Sequence, residues 1–247
     1  MKKFVSLLTV CLMFAGNAFS ADKDNRSMMD KMKPKSKTQE ATVHMDKAVQ
    51  TLHKMEADSN LKPYLQQARG LFIIPDYARA ATGVVGANGG AGVLVVRNGS
   101  SWSDPAFYNF GGVSAGIQAG LEAGQIAFIL NNDKAINKFK EANNKFSLDA
   151  DAGLTVVAWG KKGQADLSKA DLIAWTDAKG LFAGAAIGLK DVNFDDKENA
   201  ALYGKKVMPA DILSGSAKAT AQNVATFKKA LPAMPETSSS TGGTSGK

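Results

Sequence analysis

A chain of 247 residues with 45% hydrophobic and 21% charged side chains is long enough for one large domain or two small ones, and apolar enough to bury a core. Its formal charge of +7 at pH 7 suits an anionic membrane surface but is too weak by itself to point to nucleic acid. The single cysteine, Cys11, lies in an N-terminal apolar run, which excludes disulfides and thiolate metal sites from the rest of the chain.

Lys2 and Lys3, the apolar stretch Phe4 to Ala15 and the small residues around Ala18 and Ser20 form a secretory signal, cleaved near Ser20/Ala21. The apolar run stops at Gly16, short of the about 20 residues a membrane-spanning helix needs. Cys11, still followed by Leu12, Met13 and Phe14, is a poor site for lipid attachment. The expected location is periplasmic or secreted, peripheral at a membrane where it meets one. Residues 21–37 then make a polar, flexible arm in which Lys31, Lys33, Lys35 and Lys37 surround Pro34.

From Thr38, Ala41, Met45, Ala48, Val49, Leu52 and Met55 recur at helical spacing, with His44, Lys47, Gln50 and Lys54 on the other face. Docking of that stripe on the domain is preferred over a helix lying on a membrane. Leu71 to Pro75 reads as a short buried strand, and Val93 to Val96 as a strand between the turn signals Asn88-Gly89 and Asn98-Gly99. The glycines from Gly83 to Gly92 match no nucleotide-binding pattern and read as turns.

Glycine returns at every fourth position from Gly112 through Gly116 and Gly120 to Gly124, and again at Gly180, Gly184 and Gly188. The residues between also alternate, so one strand running from Gly112 is preferred over a GxxxG helix, which four interior glycines and Glu122 would penalise. A glycine-bearing face admits a neighbouring aromatic or a ligand; packing in a curved sheet is the preferred use. Further strands are expected over Gln125 to Leu130, Leu154 to Ala158, Leu172 to Trp175 and Leu181 to Leu189, with turns at Gly160 to Gly163 and Asp177 to Gly180. Helices are expected over Asp133 to Lys140, Asp195 to Tyr203 and Ala217 to Leu231, before a Ser/Thr/Gly tail.

Little catalytic chemistry can be assembled. Gly112 to Gly116 fits G-x-S-x-G with Ser114 as nucleophile, but both histidines, His44 and His53, lie upstream, against the order of that fold's triad. The two histidines fall on opposite helix faces and make no metal pair, and HExxH is missing. Asp149 and Asp151 lack the other ligands of a calcium loop and read as solvated turn aspartates. The expectation is a binding protein with no cofactor and no metal.

Three segments together resemble the SYLF-domain family. The first runs from Gly89 through Gly92 to Arg97, then Trp102, Pro105 and Phe107; the second includes Gly111, Gly112, Gly116, Gln118 and Gly120, continuing to Asn132 through Ala135; the third includes Gly180, Phe182 and Gly184, continuing to Asn199, Tyr203, Ile212 and Leu213. Two departures stand out: Glu122 to Gln125 where an aspartate often follows the glycines, and Trp159-Gly160 where a Gly-Pro turn is common. The resemblance implies phospholipid binding, with phosphoinositides for eukaryotic members and actin for fungal ones. An exported bacterial-type protein is expected to meet neither of the last two.

The expected fold is α+β: a curved, mostly antiparallel, glycine-rich β-sheet, barrel-like or sandwich, with an N-terminal amphipathic helix and C-terminal helices. Residues 38–232 form the SYLF-like domain between the arm and a disordered tail, 233–247. The expected function is non-enzymatic binding of anionic phospholipid in the bacterial envelope, with Lys31, Lys33, Lys35, Lys37, Lys47 and Lys54 for headgroups and an apolar groove or helix face for acyl chains. The alternative is a periplasmic module that binds another envelope protein.

Overall fold

The computed structural model describes residues 36–82, 85–115, 120–141, 145–160, 167–178 and 189–234. Helix α1 (Lys37–Glu56) and the short α2 (Lys62–Gln67) lead into β1 (Gly70–Thr82), β2 (Val85–Asn98), β3 (Ser101–Trp102), β4 (Ala106–Ala115) and β5 (Gly120–Leu130). Helix α3 (Asp133–Lys140), β6 (Phe146–Leu148), β7 (Val156–Ala158), β8 (Leu172–Thr176) and β9 (Leu189–Phe194) follow, then α4 (Asp196–Tyr203), α5 (Pro209–Ser214) and α6 (Gln222–Lys229). The nine described strands form one sheet in the order β6-β9-β4-β2-β1-β5-β8-β7, with β3 added beside β2. All described pairings are antiparallel except β7 with β8, and the sheet curls into a half-barrel. The α+β, curved-sheet expectation holds in its barrel-like form.

Helix α1 starts one residue before the expected Thr38. Ser36 Oγ accepts the Gln39 N–H, and Gln39 Oε1 accepts the Ser36 N–H, a reciprocal box that satisfies two otherwise unpaired donors. The stripe Ala41, Met45, Ala48, Leu52 and Met55 is at most 1% exposed and packs on the domain. That burial overturns the helix-face alternative for acyl chains, because the apolar side is consumed by the protein's own core. Within the buried side, next to Thr51 and Met55 and not on the other face as expected, His44 Nδ1 lies 2.6 Å from Oε1 of the buried Glu198, tying α1 to α4.

Several sequence expectations need correction. The glycine series from Gly112 is two strands, the ends of β4 and β5, which pair with β2 and β1 respectively. Spacing by four keeps one parity, so alternation reads through the break without marking it. Asn88-Gly89 is no turn; it lies inside β2, opposite Arg79 and Gly112. Gly90 and Gly92 are strand positions as well, and their glycines answer to packing: a Cβ at 90 would lie 2.7 Å from the Asp76 carbonyl oxygen, and one at 92 would overlap the Phe72 ring. Asn98-Gly99 does turn, with Gly99 at φ +63° and Asn98 paired to Ser101.

The strand begun at Leu71 runs on to Thr82, carrying Pro75 inside it at a register shift, a bulge that tolerates the missing N–H. Of the helix expected over Ala217 to Leu231, Gln222–Lys229 forms, while the preceding residues 217–221 run as irregular chain, with the Ala219 N–H donating to Asp104 Oδ2. Asp149 is buried rather than solvated and caps a turn, accepting from the Ala152 N–H, while Asp151 is exposed. The expected strands over Gln125–Leu130 and Leu172–Trp175 and the helix Asp133–Lys140 are present. Gly116, Gln118, Gly180, Phe182 and Gly184 lie outside the described residues, as do Lys31, Lys33 and Lys35.

The aromatic core gathers over Gly92. Phe72 packs edge-on against Tyr108 and Phe139, with Phe146 and Phe194 around them. Tyr108 donates its hydroxyl to the Phe139 carbonyl oxygen at 3.0 Å, and burial pushes its pKa upward. Gly92→Ala is expected to cost about 1–3 kcal/mol by overpacking. Gly111→Ala, whose new Cβ would meet its nearest atom at an ordinary 3.5 Å, should stay within about 0.5 kcal/mol of the parent. Urea unfolding of the two variants checks the contrast.

Candidate functional site

The described lysines of the expected headgroup set are engaged with carboxylates. Lys37 Nζ lies 2.6 Å from Glu40 Oε2, and this hydrogen bond holds the ammonium pKa above its usual value despite partial burial. Lys47 Nζ reaches both Asp76 oxygens, at 2.9 and 2.7 Å, just past the bulge in β1. Lys54 Nζ lies 2.8 Å from Asp177 Oδ2, whose other oxygen accepts the Gln125 N–H at 2.7 Å. The Lys47 and Lys54 pairs strap α1 to the sheet, whereas the Lys37 pair stays within the helix. Being largely exposed, each is worth at most about 1 kcal/mol.

The motif residues separate into two groups. One is structural: Gly92 makes room for Phe72, the Pro105 carbonyl oxygen accepts from the Tyr203 hydroxyl at 3.1 Å, and Asn199 exchanges hydrogen bonds with both backbone groups of Phe107. Gly111 and Gly112 lie in β4 opposite Gly89 and Asn88, and Gly120 opens β5. Ser114 lies near the end of β4, opposite Gly86.

Arg97 and Trp102 form the other group and make a site. The Asn98-Gly99 turn pairs them across β2 and β3, so the Arg97 guanidinium carbon sits 4.1 Å from the Trp102 ring centroid. Arg97 Nε donates to the Ala68 carbonyl oxygen, and Nη2 to those of Gln66 and Pro232. Trp102 Nε1 donates to the same Pro232 oxygen at 3.0 Å. These are neutral acceptors: among the described residues no carboxylate pairs with Arg97, and nothing accepts from Nη1. Burial pulls its pKa below the ordinary arginine value without removing the charge at neutral pH.

A cleft of about 320 Å³ opens beside this pair, with Ser100, Ser101, Lys228 and Lys229 on its walls. Lys228 Nζ lies 2.8 Å from Oδ1 of the buried Asp104, while among the described residues Lys229 has no carboxylate partner. Three cations, two hydroxyls and one submerged carboxylate make an anion-attracting surface. Sequence reasoning singled out Arg97 and Trp102 but missed the serines and both lysines. The turn signal at Asn98-Gly99 marks Ser100 and Ser101; no local pattern marks Lys228 and Lys229.

Among the described residues no group of three metal-ligating side chains occurs, and no helix is long and apolar enough to cross a membrane. A family model described as "Ysc84: Las17-binding protein actin regulator" matches residues 111–234. Protein YSC84 of Saccharomyces cerevisiae is 29% identical over 191 residues, 74% of this chain and 40% of that protein. LAS seventeen-binding protein 3 of the same yeast is 29% identical over 188 residues, 73% of this chain and 40% of its own length. The human SH3 domain-containing YSC84-like protein 1 is 27% identical over 162 residues, 64% of this chain and 46% of its own. The matched region thus spans less than half the length of these relatives. No solved structure matches the chain.

The Lys54 strap carries a pH signature. Burial alone would raise the Asp177 pKa, but hydrogen bonds from Lys54 and the Gln125 N–H, with the lysine charge, outweigh it and hold it below the model-peptide value of 3.8. Its contribution is therefore present above that value and is lost as pH falls through the lower folded one. Asp177→Asn should lower the urea midpoint at pH 7 and flatten its decline between pH 5 and 2; a parallel, undiminished decline would show that the pair adds nothing.

Proposed function

The chain belongs to the Ysc84 family, the SYLF-domain family of binding and regulatory modules, and on that premise we propose that it is a non-enzymatic binder of anionic phospholipid in the bacterial cell envelope. The observation that carries this reading is the Arg97 guanidinium, braced on Trp102 and held by carbonyl oxygens with no carboxylate partner among the described residues. A planar guanidinium with unused donors suits a phosphate oxygen pair, and Lys229 and the serine hydroxyls supply further contacts. The headgroup site thereby moves from the α1 lysines to this cleft.

The basic arm adds long-range attraction. Lys31, Lys33 and Lys35 would each contribute about 1 kcal/mol near an anionic surface, whereas Lys37, Lys47 and Lys54 have local carboxylates to satisfy first. The N-terminal signal pattern supports export, and in an envelope the available anions include membrane phosphates. Actin and Las17 are not partners on this reading.

A second reading, a protein-interaction module, is favoured by the yeast relative whose name states that it binds LAS seventeen. An acidic segment of a partner protein would present the cleft with similar charge. Flotation with phosphatidylglycerol vesicles separates the two. The chain lacking residues 1–20 should float at low salt and release as salt rises, and the exposed Lys229→Glu should reduce the bound fraction several-fold without changing thermal stability. Removing residues 21–35 should weaken flotation further; a deletion running to residue 58 would take away α1 and its core contacts instead. Failure to float at low salt, or unchanged flotation of Lys229→Glu, would overturn the cleft reading.

A further inference from the structure

Trp159 takes no part in the anionic cleft. It lines a separate open recess of about 510 Å³ with Asp58, Asn60, Tyr64, Gly160 and Leu167. The turn after α1 brings Asp58 there, α2 brings Tyr64, and the end of β7 brings Trp159. The tryptophan is pinned at two points: its backbone N–H donates to the Ala174 carbonyl oxygen at 2.7 Å, and its indole Nε1 donates to Asp58 Oδ2 at 2.9 Å. Tyr64 meets it edge-on, ring centroids 5.6 Å apart.

Asp58 is held by neutral donors. Its Oδ1 accepts the Asn60 N–H at 2.9 Å, and the Trp159 hydrogen bond leads the effects that hold its pKa below the ordinary carboxylate value. Among the described residues no lysine or arginine pairs with it. The Leu61 N–H and the Asn60 side chain add to the lowering of the pKa, and all of these donors are neutral, so none of them cancels the carboxylate charge. The recess therefore joins a fixed negative charge, two aromatic rings and the buried Leu167.

Those features select among ligands. An anion would meet the carboxylate at close range. A hard divalent cation needs about six oxygen ligands, and only one carboxylate is present among the lining residues. An organic ammonium satisfies every wall at once: its charge faces Asp58, its carbon atoms cover Trp159 and Tyr64, and the aromatic faces attract the cation. We propose that the Asp58–Tyr64–Trp159 recess binds a small organic ammonium group, presented by a free amine or by the headgroup of an amine-bearing phospholipid. This goes beyond the anionic-cleft reading and does not depend on it.

Indole N–H resonances in proton–nitrogen NMR test it, since Trp159 and Trp102 report on the two sites separately. The Trp159 signal is assigned by its loss in Trp159→Phe. Ethanolamine hydrochloride, titrated against sodium chloride at matched ionic strength with choline as the methylated comparison, should shift the Trp159 signal saturably and leave Trp102 in place; inorganic phosphate should do the reverse. Asp58→Asn, which keeps an oxygen for the indole, should weaken the ammonium effect about tenfold, the loss of one charged contact. Tyr64→Leu should weaken the ammonium effect as well, by removing one of the two rings that cover the cation. Competition by phosphatidylethanolamine vesicles identifies the headgroup as the source, and lack of competition identifies a free amine. A Trp159 signal that responds equally to ethanolamine and sodium chloride, or an Asp58→Asn variant that binds as the parent does, would overturn the proposal.

Discussion

The ring of Phe72 occupies the volume that a side chain at position 92 would need, and the curled sheet is packed around that substitution of an aromatic for a Cβ. With Gly92 bare, Phe72 settles between Tyr108 and Phe139. Tyr108 then reaches the Phe139 carbonyl oxygen, fixing α3 over β4. The same exchange repeats one residue pair along β2, where Gly90 leaves space for the Phe110 ring and for the backbone of the Pro75 bulge. Glycine here provides volume, and none of these positions has a positive φ.

Around that core the polar contacts divide sharply by exposure. The His44–Glu198 pair and the Asn199 bridge to Phe107 are buried or nearly so, and they register α1 and α4 against β4. The lysine pairs of α1 are peripheral and add little. A lysine-rich helix face can resemble a membrane surface in sequence and still supply struts, because carboxylates well along the chain complete the Lys47 and Lys54 pairs. Arg97 is the contrary case, a half-buried cation held by carbonyl oxygens with no carboxylate partner among the described residues.

What could be read beforehand follows from range. The capping box at Ser36, the α1 stripe, the helix at Asp133 and the turn at Asn98-Gly99 depend on residues within about two helical turns of one another, and their side-chain types state the geometry. The Arg97–Trp102 pair was legible in principle by the same route, since a two-residue turn at Gly99 and Ser100 sets them opposite. The strand break inside the glycine series was not, because glycine says the same thing in both strands. Nor were the partners Lys228 and Lys229, or the meeting of Asp58 with Trp159 across 101 positions; no local pattern encodes such distances.

That long reach has a bearing on biogenesis. The Pro232 carbonyl oxygen takes hydrogen bonds from Trp102 and Arg97, 130 and 135 positions earlier. During synthesis or passage through a narrow channel the chain emerges in order, so β2 and β3 are exposed long before the segment that completes their cleft. The site is assembled last. A partly emerged molecule would carry the arginine and the tryptophan without the wall that orients them, and the cleft would close only once the segment around Pro232 had followed.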